Sequence, residues 1–157
     1  MPVLIVLIVS FLASLGLTRA ISGNWNYILS GNIAMCLMLL FTAFGHFKFP
    51  KGMAKMIPKP IPFKIELVYL TGVFEIAGGI GLLFEQYRYI SGTLLILFFV
   101  FILPANIKAA FDKLDYQKGT YDGKGASYLW FRIPMQLFLI WWLWEFAVRS
   151  ETLPHLF

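Results

Sequence analysis

The chain is expected to be an all-α, transmembrane helical bundle, and three observations predict it. Its 157 residues are 59% hydrophobic and only 13% charged. Its mean hydropathy of +0.75 lies well above that of ordinary soluble domains. Its apolar residues gather into five stretches separated by polar loops. Those stretches use up most of the chain, so residues 1–157 are expected to form a single integral membrane domain.

The first stretch, Val3 to Leu17, and the fourth, Tyr89 to Leu103, are short for a spanning helix. At 1.5 Å per residue such segments cover only about 23–26 Å, which calls for flanking residues or a thinned bilayer. A signal peptide is the competing reading of the first, but a basic leading region is missing and Thr18-Arg19-Ala20 is a poor cleavage site. The second stretch runs from Ile28 to Phe47, the third from Ile65 to Phe84 and the fifth from Tyr128 to Val148. Pro62 suits the first turn of the third span, and Pro104 is expected to end the fourth.

Between the spans, Lys and Arg are unevenly divided. One loop carries Lys48, Lys51, Lys55, Lys59 and Lys64, another Lys108, Lys113, Lys118 and Lys124; the alternate loops carry only Arg19, Arg88 and Arg149. The positive-inside rule then expects the N-terminus and both basic loops in the cytoplasm and the C-terminus outside, in a bacterial inner membrane periplasmic. WWLWEF, with Glu145 beside Trp142 and Trp144, fits an aromatic belt at the outer interface. Lys51, Lys55 and Lys59 recur at i+4, which predicts a short interfacial helix whose ammonium groups reach toward lipid headgroups. The plainer alternative is a charge cluster that only sets topology.

Several function classes fall away. The net charge of +5 sits in topology-setting loops, so no nucleic-acid partner is expected. Cys36 is the one cysteine, which excludes an internal disulfide or a CxxC pair and leaves it to pack as a small hydrophobe. His46 and His155 are far apart and lack a metal-binding motif, so no metal is expected. In GTYDGKGASY, Gly119 and Gly123 are too close for a phosphate loop, and Asp112, Asp115 and Asp122 miss the spacing of a calcium loop. A glycine-rich turn entering the last helix accounts for it.

What remains is Glu75 and Arg132, each inside an apolar stretch. Translocon scales place an Asp, Lys or Arg at the centre of a spanning helix at roughly +2.5 to +3.5 kcal/mol, so such groups face a bundle interior and take partners. The topology brings His46, Asn106 and Gln136 to the same end of the bundle. Arg132 and Gln136 share a face at i, i+4, and Gly72, Glu75 and Gly79 share another, where small residues admit a close neighbour. Thr42, Ala43 and His46 form a similar stripe on the second span.

Three readings stay open: a Glu75–Arg132 pair, satisfied by Asn106 and Gln136, that locks the helices; an Arg132 that snorkels away and leaves Glu75 protonated; or a pocket for an amphipathic molecule. In the third reading the ligand-binding residues are Glu75, Arg132, His46, Asn106 and Gln136.

The pattern GHF, MIP, IP, YLTGVFEI and PAN from about Asn32 to Ala110, with LWFRIPMQ beyond it, resembles the DoxX family of small bacterial membrane proteins, specifically its DoxX-like branch. The resemblance implies a four-helix membrane core, to which this chain adds an N-terminal transmembrane helix. It makes His46, Glu75, Pro104, Asn106, Arg132 and Gln136 candidate family positions. It further implies an accessory role in a membrane redox or envelope process, with a bound quinone or lipid and a protein partner or a second copy. The alternative is an assembly factor with a purely structural Glu–Arg pair. No flavin, haem or iron–sulfur motif is present, and whether the chain is itself an enzyme stays open.

Overall fold

The computed structural model describes residues 2–123 and 125–150, except the side chains of Ala126 and Tyr128. Lys124 and His155 lie outside the described residues. Among the described residues six α-helices carry the fold: α1 (Pro2–Ser22), α2 (Tyr27–Lys48), α3 (Pro50–Ala54), α4 (Lys64–Gly81), α5 (Glu85–Phe111) and α6 (Leu129–Leu143). A 3-10 turn (Gly125–Tyr128) leads into α6, and a π-helical segment (Trp144–Arg149) continues it. Among the described residues there is no strand, and α1, α2 and α5 are each long and apolar enough to cross a membrane. By contrast, α4 has 18 residues and includes Lys64, Glu66 and Glu75, while α6 has 15.

α2 is the central helix, packed against α1 on one side and α4 on the other. α5 runs beside α4 and α6 and meets the π-helical segment. The reason lies in their faces. Along α2, Ala34, Met35, Met38 and Leu39 are all buried, and they join Leu95 and Phe99 of α5 and Leu139 and Leu143 of α6 in one core. Large apolar side chains such as Leu12, Val73, Phe101 and Trp130 point outward, as expected of a surface that meets lipid rather than water.

The helix boundaries differ from expectation where proline is involved. Pro104 does not end the fourth span; α5 continues through it to Phe111. Proline removes one backbone donor and disturbs the ladder, and a helix survives this when neighbours satisfy the freed carbonyls. Pro104 frees the carbonyl of Val100, four residues before it; in the same turn the Gln136 amide on α6 donates to the neighbouring Phe99 carbonyl. Pro62 lies ahead of α4, whose N-cap is Phe63 at φ 52°. The expected interfacial helix is shorter than the lysine spacing implied: Lys51 lies within α3, Lys55 caps it and Lys59 lies beyond.

The last helix ends in a π-helical segment, which the sequence pattern did not reveal. Widening the turn frees backbone carbonyls, and such segments need outside partners. Asn32 of α2 supplies one, donating from Nδ2 to the Phe146 carbonyl at 2.8 Å. Beside it, Trp142 donates from Nε1 to the Gly31 carbonyl at 3.0 Å and stacks edge-on against Phe11 with ring centroids 5.2 Å apart. Trp142 is therefore a core residue and not part of an interfacial belt, whereas Trp141 and Trp144 are exposed. Glu145 is half-buried and pairs with Arg149 at 2.9 Å.

Candidate functional site

Glu75 lies on the buried stripe of α4 with Val68, Gly72 and Gly79, the one-face spacing of a helix with 3.6 residues per turn. Gly72 lets α2 come close: a Cβ there would stand 2.9 Å from the Cβ of His46. Gly79 lies one turn deeper, where a Cβ would meet the backbone of Cys36 at 3.4 Å. Cys36 is buried there and packs as a small hydrophobe.

The close approach sets Glu75 against two residues of α2. Thr42 Oγ1 donates to Glu75 Oε2 at 2.8 Å. His46 Nε2 stands 3.5 Å from Glu75 Oε1. On the far side of the imidazole, Nδ1 is 3.0 Å from the Val68 carbonyl and 3.0 Å from Thr71 Oγ1, while Thr71 donates to that same carbonyl at 2.8 Å. The histidine is thus clamped on α4 at one nitrogen and turned toward the carboxylate at the other. Of these contacts only the one between His46 and Glu75 is longer than an ordinary N–H···O bond.

Arg132 belongs to a different cluster. Its Nη2 donates to Asn106 Oδ1 at 2.7 Å, Asn106 Nδ2 donates to Gln136 Oε1 at 3.2 Å, and Gln136 donates onward to the Phe99 carbonyl. All of these groups sit on α5 and α6. The expected Glu75–Arg132 pair is accordingly not formed, because Glu75 packs on α2 and Arg132 on α5. The five anticipated residues separate into a His46–Glu75 dyad and an Arg132–Asn106–Gln136 chain. Thr71 and Asn32 were missed, although each is a polar residue within an apolar stretch, and Thr71 lies one turn before Glu75.

Two open clefts lie elsewhere among the described residues. One of about 570 Å³ is lined by Leu29, Leu83, Phe84, Glu85, Gln86 and Arg88. The other, about 280 Å³, lies between α1 and the start of α2, with Ser14, Thr18 and Asn26 among its walls. Both are at the end of the bundle opposite the basic loops.

A family model for a domain of unknown function, DUF8561, matches residues 35–147. The chain belongs to this family. The match begins inside α2 and extends through the dyad and the Arg132 chain to the π-helical segment, and it leaves α1 outside. No curated protein and no solved structure matches the chain.

Proposed function

We propose that this is a DoxX-like inner-membrane protein whose His46–Glu75 dyad receives the polar head of a quinone-like or lipid-like molecule, in support of a membrane redox or envelope process. The observation that carries the reading is the slack joint. A buried carboxylate and an imidazole face each other at 3.5 Å while their other bonds, to Thr42, Val68 and Thr71, are 2.8 to 3.0 Å long. A small oxygen-bearing head beside the pair would bond to both groups at once, where the protein alone leaves their mutual contact long.

In this reading the bundle has five spans, with α2, α4, α5 and α6 as the four-helix core and α1 added. Two facts support that division: α1 packs chiefly on α2, and the family match starts beyond α1. The excess of lysine around α3 and between α5 and α6 favours a cytoplasmic position for both, and with it a cytoplasmic N-terminus and a periplasmic C-terminus.

Native mass spectrometry of the full chain released from lipid nanodiscs tests the ligand. A neutral amphipathic molecule should copurify with wild type and with Asn106→Ala, and be lost from Glu75→Leu. Empty protein throughout, or equal retention by Glu75→Leu, would sink the proposal.

A second reading, an assembly factor that offers its helices to a partner, is favoured by the position of the two clefts, neither of which touches His46 or Glu75. Under it Glu75→Leu would fold, bind no less lipid and still fail to pull down the partner.

A further inference from the structure

The proton inventory of the dyad is more constrained than its ligand. The Val68 carbonyl is an acceptor only, and a bare Nδ1 lone pair 3.0 Å from it would be repulsive, so Nδ1 of His46 carries a hydrogen. Thr71 has a single hydroxyl hydrogen, which it gives to the Val68 carbonyl, so its oxygen also faces Nδ1 as an acceptor.

With Nδ1 protonated, a neutral imidazole would turn a lone pair from Nε2 toward Glu75 Oε1. If the carboxyl were ionised as well, two lone pairs would meet beside a buried negative charge. An apolar surround penalises that arrangement heavily. Protonating both groups would leave a buried positive charge without a counterion. One proton between them removes both problems; the single Thr42 hydrogen is within reach of both the Leu39 carbonyl and Oε2, so the carboxyl can hold that proton on either oxygen.

We infer that His46 and Glu75 hold one exchangeable proton between them, and that a molecule bound beside the dyad presents a neutral carbonyl- or hydroxyl-bearing head group rather than an anion. The first half stands on hydrogen-bond geometry alone; the second rests on the ligand reading above. Moving the proton breaks the Nε2–H bond and forms a carboxyl O–H, with no electrons exchanged. Imidazolium and carboxylate become imidazole and carboxylic acid, and the pair stays neutral in total. A neutral head preserves that balance, whereas a phosphate or carboxylate head would add a charge with nothing at the joint to offset it.

The inner side of the dyad is closed. Beyond Glu75 and Thr42 lie Leu39, Cys36 and Met35, all buried, with Gly79 against the Cys36 backbone. An occupant would therefore meet the dyad on the His46 side.

The test uses the full chain in nanodiscs, with His155→Gln leaving one histidine for nitrogen-15 NMR and Glu75→Gln assigning the carboxyl band in infrared difference spectra. The expected result is an Nδ1-protonated histidine, together with either a protonated Glu75 band or an imidazolium, in proportions that add up to one proton. An Nδ1-bare histidine, an ionised carboxylate beside a neutral ring, or both groups fully protonated would each overturn the proton assignment. A short-chain benzoquinone and decyl phosphate are then titrated as probes. The quinone should shift the His46 resonance and the phosphate should not. A shift with phosphate alone, or with neither, would overturn the choice of a neutral head while leaving the proton count intact.

Discussion

Arg132 donates to Asn106 at 2.7 Å, and through Asn106 it is tied to Gln136 on its own helix. The guanidinium thus joins α6 to α5 beside the turn that Pro104 disturbs, and the chain ends on the Phe99 carbonyl. The bond from Arg132 to Asn106 does not involve the carboxylate of Glu75, which packs against α2.

Removing either interior link of that chain, Asn106 or Gln136, should break two bonds at once. Asn106→Ala removes the acceptor of Arg132 Nη2 and the donor to Gln136 Oε1, and each buried group left without its bond costs about 1–3 kcal/mol. Thermal unfolding in detergent should show Asn106→Ala and Gln136→Leu both less stable than wild type. An Arg132→Met/Asn106→Ala double variant should be less destabilised than the sum of its singles. Simple additivity would show that the bonds act independently.

Gly72 should tolerate no side chain. A Cβ there meets the His46 Cβ at 2.9 Å and the Phe47 ring at 3.2 Å, and overpacking of this kind costs about 1–3 kcal/mol. Gly72→Ala should lower the melting temperature, and Gly72→Val should lower it further. An unchanged melting point for both would mean that α2 and α4 move apart freely.

The Asn32 amide should be what holds the π-helical turn. Asn32→Leu keeps the volume but removes the donor to the Phe146 carbonyl, a loss of about 1–3 kcal/mol if that carbonyl finds no other partner. Trp142→Phe loses only the bond to Gly31 and should cost less, about 0.5–1.5 kcal/mol. The order of the two melting temperatures checks the assignment.

In the loop outside the bundle, the hydrogen bond from Thr120 holds the Asp122 carboxyl below its ordinary range, with Lys118 adding to the effect. A depressed carboxylate contributes above its unfolded value and loses that contribution as pH falls through the folded one. Thr120→Val should therefore move the Asp122 titration upward in carbon-13 NMR. It should also make the loop lose order at a higher pH during acidification. A titration that does not move would show that the hydroxyl is not the cause.

The helical periodicity was enough to place Gly72, Glu75 and Gly79 on one face and Arg132 with Gln136 on another, because neighbours at i+3 and i+4 are fixed by the backbone itself. It was not enough to say which face meets which. Glu75 took its basic partner from α2, where His46 had been grouped with Thr42 and Ala43 but assigned to a common cluster with Arg132. Pairing across helices depends on packing order, and α4 packs on α2 whereas Arg132 reaches across to α5. Pro104 misled for a related reason: its local effect is to break a helix, yet α5 continues through it to Phe111 while packed against α4 and α6. Trp142 likewise reads as interfacial from its neighbours, yet the Gly31 carbonyl gives its indole N–H a partner in the core.

The widened turn at Trp144–Arg149 has a consequence for chain length. A π turn is an α-helix with one residue too many, and each residue of an α-helix rotates the chain by about 100°. Deleting a single residue from this segment would restore a regular helix and swing everything after the deletion by that angle. Ala147, which now packs where Gly92 leaves space, would turn away from α5. The far end of the last helix is therefore phased by an insertion, and a shortened variant should fold with that end facing the wrong neighbour.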